Sequence, residues 1–145
     1  MDDAHGVHDF VYDERNADIL VSINGELKHR DEATVSVFES GYLLGDGVWE
    51  GLRVHKGGVA FLDAHLKRLY AGAKTIDMEI GLTPEALTRQ LFDCLKAQDM
   101  QDGVHIRLMV TRGVKKTPYQ GPRFTITPPT IVIIPEYKSP VPEIQ

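Results

Sequence analysis

The chain has 145 residues, 42% of them hydrophobic, and its 16 basic and 21 acidic residues give a formal net charge of −5. That size supports one domain with a real core. The two signs of charge are mixed without a long run of either, which argues against a nucleic-acid or anionic-membrane surface, and no apolar run approaches the roughly 20 residues of a membrane-spanning helix.

The opening "MDDAHGVHDF" has no basic patch leading into an apolar run, so residues 1–17 are expected to be a flexible leader on a cytoplasmic protein. His5 and His8 are read as part of that polar leader, and no metal site is expected. The domain proper is placed at 18–136. It begins with two apolar, β-branched runs around Asn24-Gly25, the dipeptide of a type I′ hairpin. Next, "LGDGVWEGLRVH" alternates with period two, and Lys56-Gly57-Gly58 turns it into a return strand, "GVAFL".

From Asp63, the expected N-cap, the period changes. Leu62, Leu66, Leu69, Ala73 and Ile76 form one helical stripe. A second helix follows, capped by Thr83 with Pro84 at its first position and Leu87, Leu91 and Leu95 every fourth residue. Cys94 lies among those apolar residues and reads as a buried thiol. "GVHIRLMVTRG" returns to period two, a loop through Lys115, Lys116 and Tyr119 intervenes, and "TIVIIPEY" is the last strand. The order β-β-β-β-α-α-β-β predicts an α+β domain, a mostly antiparallel sheet with two helices packed on one face.

Such a sheet leaves one face free. Val48, Leu52 and Val54, with Glu50 as the exception, share the apolar side of the third strand, and Val104, Ile106, Leu108 and Val110 that of the fifth. If those sides meet the helices, Trp49, Gly51, Arg53, His105 and Arg107 all project from the uncovered side. An ordinary wet sheet face would favour Thr, Lys and Glu. A bare glycine between Trp and Arg weakens a strand and often allows close approach, so the pattern favours a ligand-facing surface. Arg68 lies on the flank of its helix. It is either a solvated helix-edge residue or a two-point phosphate clamp.

The run "GDGVWEGLRVHKGGVAFLDAHLKRLYAGAK" resembles the signature of the class IV, or fold type IV, pyridoxal-phosphate aminotransferases, which include branched-chain aminotransferases, D-amino acid aminotransferases and aminodeoxychorismate lyases. The likeness runs from about Ile19 through "VHIRLMVTRG" to the tail. It implies a small N-terminal domain that closes over a larger one with pyridoxal 5′-phosphate in the cleft, held mainly by the larger domain. Arg68 of "HLKRL" would bind the cofactor phosphate. Trp49, Gly51 and Arg53 would line the substrate pocket, and Arg107 would receive the substrate carboxylate, with His105 standing where a tyrosine is usual.

The family's Schiff-base lysine lies in the larger domain. Lys138 comes too early, in a stretch resembling the interdomain connector (137–145), and Lys115 and Lys116 are in the loop. No catalytic residue is therefore expected in this chain, which alone would be inactive; the lysine and the larger domain are expected beyond Gln145. The resemblance further implies amino acid and 2-oxo acid substrates and a homodimer. "GDGVWE" and "VTRG" resemble the D-amino acid enzymes, but no arginine precedes Tyr119 where those place a carboxylate clamp. Arg53 and Arg107 follow the branched-chain pattern, so an L, branched-chain donor is preferred. The alternatives are a D-amino acid aminotransferase, an aminodeoxychorismate lyase, and a non-catalytic truncated interaction module.

Overall fold

Asn24 and Gly25 turn the chain with φ of 52° and 83°, the positive values that a type I′ turn requires. They set β1 (Leu20–Ile23) against β2 (Glu26–His29) in a computed structural model that describes residues 11–139. His5, His8 and the last six residues lie outside the described part.

The sheet continues with β3 (Gly47–His55), the two-residue β4 (Gly58–Val59), β5 (Val104–Thr111) and β6 (Thr130–Tyr137). Its order is β2-β1-β6-β5-β3-β4, with every neighbouring pair antiparallel. Three helices complete the described fold: α1 (Ser40–Leu44), α2 (Leu62–Thr75) and α3 (Pro84–Lys96). α2 lies on β3, and α3 on β1 and β6. Their stripes, Leu66, Leu69 and Ala73 from one and Leu87, Leu91 and Leu95 from the other, bury against Leu52, Val54, Val104, Ile106, Leu108 and Ile133. The α+β class and the packing of the two long helices on one face are as the sequence predicts.

Three local details differ. The second hairpin run stops at His29: Arg30–Glu32 makes a 3-10 turn, and the β-branched stretch to Phe38 forms no strand and stays exposed, its end meeting the segment after β5 where the Phe38 carbonyl accepts from the Lys115 amide at 2.8 Å. The helix α1 has no counterpart in the sequence pattern. The buried Glu39 caps it, its carboxylate accepting from the Gly41 amide at 2.8 Å. In "GVAFL" only Gly58 and Val59 pair with β3. Phe61 takes a left-handed φ of 54° and caps α2 two residues early, so Asp63 falls in the first turn and is not the cap. There its charge still favours the positive helix end. Thr83, by contrast, caps α3 as expected, accepting from the Ala86 amide at 3.1 Å.

At the start of the described chain, residues 14–18 form a 3-10 turn whose buried Asn16 grips the end of β6. Its Nδ2 donates to the Tyr137 carbonyl at 3.0 Å, and its Oδ1 accepts from the Tyr137 amide at 2.7 Å. No helix among the described residues is long and apolar enough to cross a membrane.

Candidate functional site

The register of β3 on β5 decides which side chains meet. Gly51 stands opposite Arg107 and Arg53 opposite His105, so Trp49, Gly51, Arg53, His105 and Arg107 share the sheet face away from α2 and α3. The Arg107 guanidinium lies over the Trp49 ring, 4.0 Å from its centroid, a cation–π stack that uses the flat face of the guanidinium and leaves its N–H edge for an anion. Trp49 remains 58% exposed. Arg53 Nη1 donates to the Lys138 carbonyl and ties this face to the chain leaving β6.

The gap above Gly51 is not open. A Cβ there would stand 3.1 Å from His105 Nε2, so the imidazole occupies the place where the sequence suggests room for a ligand. Half-buried among Lys138, Arg53 and Arg107, His105 has its pKa lowered, first by burial and then by those cations, with Glu136 on β6 opposing them.

Beside this basic patch, the same face becomes apolar. A hollow of about 520 Å³ is lined by Val21, Ile23, Met109, Val132 and Ile134 and walled by Tyr42 of α1. Ile134 is the register partner of Arg107, and Glu136 that of His105, so cations and hollow adjoin. The sequence does not reveal this hollow, because β1 and β6 are far apart in the chain.

Arg68 belongs elsewhere. It reaches across from α2 to the helix-facing side of β3, where it donates from Nε to Glu50 Oε1 at 2.5 Å and from Nη2 to Oε2 at 2.7 Å. His65 Nδ1 also meets Glu50 Oε2, at 3.1 Å. Glu50, the polar exception on its core face, is 4% exposed against 73% for Arg68. Arg68 pulls the Glu50 carboxyl below its ordinary range, against the opposing effect of burial and with help from His65. Arg68 thus stands on the other side of β3 from those five residues, beside the part of β3 that β4 leaves uncovered.

Two further interactions escape a reading of the sequence alone. Arg112 closes the end of β5 on Asp46, with Nε to Oδ2 at 2.6 Å, and also donates from Nη2 to the Ile76 carbonyl at the end of α2. Lys115 is buried, with its Nζ donating to the Gly121 carbonyl at 3.2 Å. No group of three or more potential metal ligands occurs among the described residues.

The family model for amino-transferase class IV matches residues 47–145. The chain is similar to branched-chain-amino-acid aminotransferase-like protein 2 of Arabidopsis thaliana, 40% identical over 126 residues that cover 87% of this chain and 22% of that protein. It is similar to D-alanine aminotransferase of Listeria innocua, 40% identical over 108 residues, 74% of this chain and 35% of that one. In fold it is similar to the T.th. branched-chain amino acid aminotransferase complexed with N-(5'-phosphopyridoxyl)-L-glutamate, with a TM-score of 0.71 and 25% identity over 81% of this chain and 40% of that one. The chain therefore spans less than half the length of each. With two thirds of its residues under the family model and the sheet, helices and spacing in place, this chain belongs to the amino-transferase class IV family.

Proposed function

We propose that this chain is the N-terminal part of a pyridoxal-phosphate-dependent aminotransferase whose donor is an L amino acid with a branched apolar side chain and whose acceptor is a 2-oxo acid. The observation that carries the reading is the junction of Arg53 and Arg107 with the neighbouring apolar hollow. A carboxylate suits the two guanidinium groups, and an apolar side chain suits the hollow. Trp49 shields Arg107 on one side and excludes water there.

Arg68 fits the cofactor's phosphate. Glu50 engages Nε and Nη2 and leaves Nη1 on a largely exposed side chain, so a guanidinium held in one orientation still has donors to offer. When bound, pyridoxal phosphate supplies the electron sink that lets an amino acid exchange its amino group. In this reading Arg68 holds the phosphate, Arg53 and Arg107 orient the substrate carboxylate, and Gly51 admits His105 between them. The assembly proposed for the intact protein is a homodimer, which a measurement of its mass in solution would test.

The test is Arg107→Leu in the intact protein. The Michaelis constants for L-leucine and for the 2-oxo acid should rise together, because both present the same carboxylate to one site. Unchanged activity with L-leucine, or a strong preference of the parent for D-alanine, overturns the donor assignment. A D-amino acid donor is the second reading, favoured by the 40% identity with D-alanine aminotransferase.

A further inference from the structure

We propose that His105 makes carboxylate binding at the basic face proton-linked: the imidazole is neutral in the free protein and takes up a proton when a carboxylate joins Arg53 and Arg107. The inference rests on reading that face as a carboxylate site, and it adds a pH-dependent control of the same site.

The geometry is a ring of charge around one half-buried imidazole. Arg53 faces His105 from β3, Arg107 from two residues along β5, and Lys138 from the end of β6; Glu136 on β6 is the single carboxylate opposite among the described residues. His55, further along β3, is engaged by Asp102 at 3.3 Å and adds no free carboxylate. Three cations against one anion disfavour a fourth positive charge at His105. They also attract a ligand carboxylate, and its arrival removes part of the repulsion that keeps the imidazole neutral. The ring Nε2 sits in the space above Gly51, 3.1 Å from where a Cβ would stand there.

Thermodynamic reciprocity fixes the sign. If a bound carboxylate favours protonation of His105, protonation of His105 favours carboxylate binding by the same factor. Affinity is then highest below the free-state pKa and lowest above the ligand-bound pKa, and it falls with rising pH between them. A tenfold change in Kd corresponds to a difference of about one pKa unit between the two states.

The experiment uses 4-methylvalerate, a branched carboxylate with no amino group to transfer, titrated calorimetrically into the intact protein from about pH 5 to about pH 8 in two buffers of different ionisation enthalpy. The expected result is a Kd that rises about tenfold across the range, with net proton uptake in the middle of it, and a His105→Gln variant whose Kd is flat with pH. In parallel, the His105 ring resonance of the unsubstituted protein should titrate at higher pH with the probe than without it, which keeps the test valid if the variant does not fold. Binding of the probe with no proton uptake, a pH-independent Kd, or an unchanged slope in His105→Gln overturns the proton linkage alone. Failure of the probe to bind, or a Kd unaffected by Arg107→Leu and Arg53→Leu, overturns the carboxylate reading and the linkage with it.

Discussion

Arg68 and Glu50 meet through two parallel hydrogen bonds, 2.5 Å from Nε and 2.7 Å from Nη2, with the carboxylate buried in the layer between α2 and β3 and the guanidinium at the surface. A carboxylate in a core position would be costly alone. Here the arginine compensates it, and in return it fixes the arginine's orientation.

The pH dependence of stability follows from that pair. Glu50 is held below its ordinary range, so its contribution is present above the unfolded glutamate value of about 4.3 and is lost as pH falls through the lower folded value. The melting temperature should drop on acidification below about pH 4. Glu50→Gln should melt earlier at neutral pH and show a shallower acid decline. Equal slopes in thermal scans of the two proteins would separate Glu50 from acid lability.

Cofactor retention tests the other end of the pair. Arg68→Ala leaves Glu50 buried with only His65 beside it, so some loss of stability accompanies any loss of binding. Arg68→Lys keeps the charge but not the two-point contact, and is the cleaner variant. A charged hydrogen bond is worth about 1.5 to 3 kcal/mol, so the Kd for pyridoxal phosphate in the intact protein should rise roughly ten- to a hundredfold. Equal retention on dialysis, followed by cofactor absorbance, would return Arg68 to a purely structural role.

Two glycines of β3 should respond oppositely to alanine. At Gly47 a Cβ would meet the Val110 carbonyl oxygen at 2.7 Å, a backbone atom of the paired strand. Gly47→Ala should therefore destabilise by about 1 to 3 kcal/mol. At Gly51 the obstacle is the His105 ring at 3.1 Å, which can shift by tenths of an ångström, while alanine removes glycine's entropic penalty of about 0.5 to 1 kcal/mol. Gly51→Ala should keep its melting temperature and alter the substrate Michaelis constant, and a large fall in melting temperature would contradict this.

Cys94 should be chemically silent. Burial pushes its thiol up to about 11, so at pH 8 about one molecule in a thousand carries the thiolate. Reaction with a disulfide reagent should be slow in the native protein and immediate in denaturant. Fast native labelling would mean that α3 opens from the sheet.

The strands and long helices were legible because period two and period 3.6 survive in Val104 to Val110 and in Leu87, Leu91 and Leu95. The common face of Trp49, Arg53 and Arg107 was legible for the same reason, alternation being a property of one strand. What relates one strand to another was not. The placement of His105 over Gly51 depends on the β3–β5 register, and the hollow depends on β6 lying between β1 and β5. Glu50 showed only as an exception to the apolar pattern; its partner is 18 residues away on a helix. α1, at five residues, is too short to display a period, and Val35 to Phe38 has strand-like composition but forms no strand, its end meeting the segment after β5 where the Phe38 carbonyl accepts from the Lys115 amide at 2.8 Å.

The sheet is also tapered. Its three long strands, of nine, eight and eight residues, lie inside, while the outermost strands β2 and β4 have four and two. Open backbone donors and acceptors at a sheet margin are the usual template for strand addition, and because β4 covers only Val54 and His55, the outer side of β3 from Gly47 to Leu52 stays open among the described residues. The longest open margin is therefore on β3 and not on β2 or β4, and it is there that an added strand would find backbone partners.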